Sequence, residues 1–177
     1  DAFYADESVG CRIKSPTELI VGITKQFNID YQDPKSVVNL QKKLNQVLFF
    51  PPNVSGWQNG RGWIDSSTLM LRMKLSSILL NFGVIGWDES GTSPEEANEK
   101  VKRKREKVQT KIEKRFQAYP DWEFFEKEIK TEEERLVAYL IQPELTAGAQ
   151  ATLAISENYS MKEKVIEILS LPEYQLC

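Results

Sequence analysis

The sequence predicts an all-α fold, and three observations carry that prediction. Helix-start signatures recur along the chain, each followed by apolar residues at helical spacing. The long break between them is built from prolines and glycines, a composition that neither helix nor strand tolerates. No pair of alternating segments flanks a tight turn, so no β-hairpin announces itself.

Ser15-Pro16-Thr17-Glu18 opens the first helix: Ser caps, Pro takes the first helical position and Glu reaches back in a capping box. Leu19, Ile20, Ile23 and Phe27 supply its buried stripe. Asp33-Pro34 starts a second helix the same way, with Val37, Leu40, Leu44, Val47 and Leu48 at helical spacing. From Phe49 to Trp63 the pattern breaks: FFPPNVSGWQNGRGW holds two prolines, three glycines, two asparagines and two tryptophans. Asp65 or Ser66 then caps a long helix. Its Leu69, Met70, Leu71, Met73, Leu75, Ile78, Leu79 and Phe82 cover most of the circumference, which predicts a central buried helix.

A second loop spans Gly83 to Gly91, and Ser93-Pro94-Glu95-Glu96 restarts a helix with a narrow apolar stripe. Lys100 to Arg115 holds nine basic residues against Glu106 and Glu113, whereas Asp121 to Arg135 holds seven acidic and three basic. Opposite charges on consecutive helices predict a charged helical hairpin over 94–135, whose ion pairs set register more than stability. Asp121 and Thr131 read as N-caps of shorter helices. After Pro143 an Ala/Gly/Thr-rich segment stays ambiguous between helix and irregular structure. Ser160 to Glu163 caps a last helix carrying Val165, Ile166 and Leu169, which ends near Leu171-Pro172.

The whole is an irregular multi-helix domain, a single helical unit over 1–177 with 94–135 as an extension, and 177 residues suffice for one core. No apolar run approaches the roughly 20 residues of a membrane-spanning helix, so no span is expected. The chain opens at Asp1 with no Met and no leader-like segment, so it is expected to continue a longer parent chain.

Absence of histidine from these residues excludes histidine-based triads and the commonest zinc ligand within them. The cysteines, Cys11 and Cys177, lie near opposite ends without a CxxC pair, and neither a metal nor any other cofactor is expected. Were they to pair, closing so long a loop would stabilise the fold by up to about 5 kcal/mol. Cys177, close to the end of these residues, is expected to fray, which leaves two thiols.

The Pro/Gly/Trp-rich central loop is the functional candidate. Trp57 and Trp63 give flat apolar faces, its glycines allow backbone approach, and Asn53, Gln58, Asn59, Arg61 and the neighbouring Asp65 supply donors and acceptors. That combination suits a sugar ring or a partner's surface. The competing reading is structural, with both tryptophans folded back over the helices and the glycines serving turns. Asp65, Asp88 and Glu89 are the acids near such surroundings, but nothing fixes a carboxylate pair, and no GxSxG or SxxK context places a nucleophile. No catalytic residue is assigned. The basic stretch lacks interleaved aromatics, so no nucleic-acid partner is expected.

FFPPNVSGWQNGRGWID followed by TLMLRMKL resembles a bacterial family catalogued as domain of unknown function 1800. Pro51, Pro52, Asn53, Val54, Gly56, Trp57, Gly60, Arg61, Trp63, Ile64 and Arg72 are similar to its motif. Lys14 to Leu19 and Leu169 to Gln175 resemble its flanking segments, with Thr17, Leu171 and Tyr174 as departures. The resemblance frames the chain, although Pro94 to Arg135 matches nothing in it.

The resemblance implies the C-terminal part of a longer, mostly helical, exported protein of Bacteroides-type bacteria, periplasmic or at the cell surface. It implies no activity. The expected partners are the N-terminal part of the same protein and either another exported protein or a glycan. The functional expectation is therefore a non-catalytic binding or interaction module. Two alternatives stand beside it: an accessory part of a hydrolase acting on carbohydrate or sulfated polymer, and a scaffold packed against its own N-terminal region.

Overall fold

The structure is a computed structural model that describes residues 8–81, 118–129, 135–156 and 159–177. Most of the predicted charged hairpin, the Gly83 to Gly91 loop and the Thr131 cap lie outside the described residues. Among the described residues the fold is all-α apart from one minimal ladder and an isolated bridge.

Helix α1 (Pro16–Gln26) begins as expected: Ser15 accepts from the Glu18 N–H while the Glu18 side chain accepts from the Ser15 N–H, so two end donors are satisfied reciprocally. Leu19, Ile20, Ile23 and the following Phe27 are buried. Helix α2 (Pro34–Lys43) is capped by Asp33 and stops earlier than the apolar spacing suggests. Asn45 takes a left-handed conformation two residues beyond it, so Val47 and Leu48 belong to the loop.

Helix α3 (Ser66–Leu80) buries Leu71, Leu75, Ile78, Leu79 and Leu80, whereas Leu69 and Met70 in its second turn face solvent. The helix is central without being covered all round. Helix α4 (Trp122–Ile129) starts at Asp121, whose carboxylate accepts from the Phe124 N–H, and α5 (Leu136–Leu140) is short. The ambiguous Ala/Gly/Thr segment is helix α6 (Ala147–Ile155), capped by Thr146, and α7 (Met161–Ser170) carries the capping box of Ser160 and Glu163. Strands β1 (Asp30–Tyr31) and β2 (Ala118–Tyr119) pair antiparallel, with Asp30 opposite Tyr119. They lie far apart in sequence, which is why no hairpin signal precedes them.

The core forms where α3 packs along α7, flanked by α1, β2 and α5. Small residues bring α3 and α7 together: the Ser76 and Ser170 hydroxyls are 2.8 Å apart, and Ser76 also donates to the Ile166 carbonyl. Phe27 stacks on Phe125 at 4.2 Å between centroids, and Trp122 meets Phe27 edge-on.

The last residues do not fray. Cys177 and Arg12 exchange both backbone hydrogen bonds, Lys14 donates to the Gln175 carbonyl, and Ile13 bridges Leu176. Tyr174 is buried below them, its hydroxyl donating to Gln26 and its ring covered by the Lys14 ammonium at 4.1 Å. Arg12 clasps Glu18 through two hydrogen bonds of 2.8 and 3.0 Å. That guanidinium holds the Glu18 carboxyl down at about 2.

Arg72 is the largest fully buried side chain, at 1% exposure. Its Nε donates to Gln175 at 3.1 Å and its Nη2 to the Lys14 carbonyl at 2.6 Å, so one residue of α3 holds both the segment before α1 and the segment after α7. Among the described residues no carboxylate pairs with it, and burial pulls its affinity for the proton down.

Candidate functional site

The central loop grows from the C-terminal end of α2. Gln41 anchors its root twice, through its carbonyl to the Gln46 N–H at 2.9 Å and through Oε1 to the Leu48 N–H at 3.3 Å. Gln46 in turn accepts from the Thr17 N–H, which ties the root to the start of α1. The Asn45 amide donates to Asp65 at 3.4 Å, so the loop leaves and returns at neighbouring points.

At the tip, Phe50 donates to the Val47 carbonyl, and Asn53 forms a turn by accepting from Ser55 through its side chain and from Gly56 through its carbonyl. Gly56 has a φ of 86°, which its lack of a Cβ makes inexpensive. On the return, Gly60–Trp63 makes one turn of 3₁₀ helix. Gly62 is fixed by space, since a Cβ there would lie 2.8 Å from the Gln58 side chain.

The two tryptophans part company. Trp63 is buried at 7% exposure beneath the loop, and its carbonyl accepts from the Thr68 hydroxyl. Trp57 is half-buried, with an indole nitrogen that is buried and bonds to no protein atom. Asn53, Gln58, Asn59 and Arg61 are exposed. Asp65 is exposed but committed: it accepts from the Ser67 hydroxyl and from the Ser67 and Thr68 N–H groups as N-cap of α3. Those bonds, the Ser67 hydroxyl first, hold its carboxyl below the usual range. A carboxylate so stabilised stays ionised near neutrality and is a poor proton donor.

Residues of the loop that the sequence reading passed over as contacts are largely exposed. Phe49 is 88% exposed, Phe50 75%, and Val54 fully so, with Pro51 and Pro52 exposed between them. Phe49 also has a φ of 66°, in the left-handed region that bulky residues avoid. The signal was present as two consecutive phenylalanines inside a turn-rich stretch. Neither helical nor strand periodicity acts there to turn an aromatic pair inward.

Among the described residues no group of three metal-ligating side chains stands together, and no helix is long and apolar enough to cross a membrane. The sequence model of the family described as "protein of unknown function (DUF1800)" matches residues 1–176. No curated protein and no solved structure matches the chain.

Proposed function

We propose, from the premise that the chain belongs to this family, that it is a non-catalytic binding module of an exported bacterial protein and that the central loop is its contact surface. The observation supporting this reading is the outward display of Phe49 and Phe50, the first from a left-handed backbone. Burying such a ring stabilises a fold by about 1.5–3 kcal/mol, and a non-glycine residue in the left-handed region costs about 1–2 kcal/mol. A residue that forgoes the first and carries the second is kept outside for a reason other than stability.

The exposed Asn53, Gln58, Asn59 and Arg61 supply the polar rim that a specific contact needs around an apolar centre. Export, a Bacteroides-type source and a partner protein or glycan are supported by the family resemblance alone. The hydrolase-accessory reading has no comparable observation in its favour, because the acid beside the loop is engaged as a helix cap.

The test places photoreactive benzoylphenylalanine at Val54 in the intact protein within cells that produce it. The expected result is a discrete adduct that an equivalent probe at the exposed Lys127 of α4 does not form. An adduct to the protein's own N-terminal part would establish the scaffold reading instead. No adduct to protein, glycan or lipid under any growth condition would remove the loop as a contact surface.

A further inference from the structure

We infer that the Phe49–Val54 tip is an anchor for an anionic phospholipid surface, an inference that rests on the loop being a contact surface and names what it contacts. Two observations point to lipid over a protein groove. The apolar side chains of Phe49, Phe50 and Val54 are all largely exposed within one short stretch of the loop. A deformable bilayer interface accepts such separate anchors, whereas a protein would need a matching pocket for each.

Charge completes the case. Between Asp33 and Asp65 the sequence holds Lys35, Lys42, Lys43 and Arg61 and no acidic residue, although acids outnumber bases in the chain as a whole. Lys42 and Lys43 lie in the last turn of α2 at the loop's root, and Arg61 in the 3₁₀ turn of its return. The Asp65 carboxylate at the margin caps α3 and stays ionised, so it offsets one of these four charges. Aromatic anchors flanked along the chain by basic residues are complementary to a surface with an apolar interior and anionic headgroups, where each lysine or arginine adds about fivefold to the affinity.

The experiment is co-sedimentation of the intact chain with vesicles of phosphatidylcholine alone and of phosphatidylcholine mixed with an equal part of phosphatidylglycerol. The Phe49→Ser/Phe50→Ser variant is run beside it, and its thermal unfolding is compared with the parent to show that it folds. The chain is expected to pellet with the anionic vesicles, to lose at least about tenfold in affinity in the double variant, and to be released by about 1 M salt, where the screening length is about 3 Å. Absence of sedimentation with anionic vesicles, or binding that the double variant leaves unchanged, overturns the lipid assignment. A protein adduct from position 54 without vesicle binding would do the same while leaving the loop as a contact surface. Failure of both measurements removes the underlying reading as well.

Discussion

Replacing Phe49 by glycine separates display from packing at the residue where the two are most opposed. Three terms decide its effect on stability. Relief of the left-handed backbone returns about 1–2 kcal/mol. The added freedom of glycine in the unfolded chain takes back about 0.5–1 kcal/mol. The ring is 88% exposed, so the surface it still buries is about 25 Å², or about 0.6 kcal/mol. Phe49→Gly is therefore expected to lie within about 1 kcal/mol of the parent, on either side. Trp63→Ala, at 7% exposure, is the control and should cost about 3–5 kcal/mol. Urea unfolding followed by far-ultraviolet circular dichroism measures both without relying on tryptophan emission. A loss above about 2 kcal/mol for Phe49→Gly would mean that the ring is packed, and the argument from its display would collapse.

Two further outcomes follow from the way the chain ends are held. Arg72→Met should cost about 1–3 kcal/mol, because the bonds to Lys14 and Gln175 are lost while the cost of burying an unpaired cation is also removed. Amide exchange should accelerate first in residues 172–177, and equal acceleration throughout would show that Arg72 does not hold that segment in particular. The second outcome concerns acid. The folded Glu18 carboxyl lies at about 2 against an ordinary value of 4.5, so its contribution is fully present above about pH 4.5 and fades as pH falls toward 2. The pair with Arg12 is partly exposed, which limits the effect to under about 1 kcal/mol. Arg12→Met should flatten the fall in urea midpoint between neutral pH and about pH 3, and an unchanged slope would discard this pair as its source.

The helix starts were legible because capping is local chemistry. Ser15, Asp33, Asp65, Asp121 and Ser160 each accept a backbone N–H from two or three residues ahead, so the sequence alone carries the whole interaction. Helix ends and helix faces depend on distant partners and were less legible. Val47 and Leu48 fit the spacing of α2, yet Asn45 turns the chain away, and the Gln41 side chain holds it in the loop. On α3 an all-round apolar pattern predicts all-round burial, but Leu69 and Met70 stand exposed near the loop. Of the candidate site, the loop and its polar residues were visible. The separation of Trp63 from Phe49 was not, because aromatic content is local and the direction in which a ring is sent is not.

That separation also divides the family motif by physical role. Trp63 lies under the loop, Gly62 makes room for Gln58, and Arg72 spans from α3 to the Lys14 carbonyl and Gln175. These residues fix where the loop leaves and returns. Pro51, Pro52, Asn53 and Val54 are exposed and shape the tip of the loop. A fold that needed only to connect α2 to α3 could do so with a few polar residues, since the Asn45 amide already reaches Asp65. The chain instead spends 19 residues between those two positions, stiffens their outermost part with consecutive prolines and sets a phenylalanine there in a backbone region that costs it energy. Stability explains the buried half of the motif; the contact surface proposed for the loop would account for the other half.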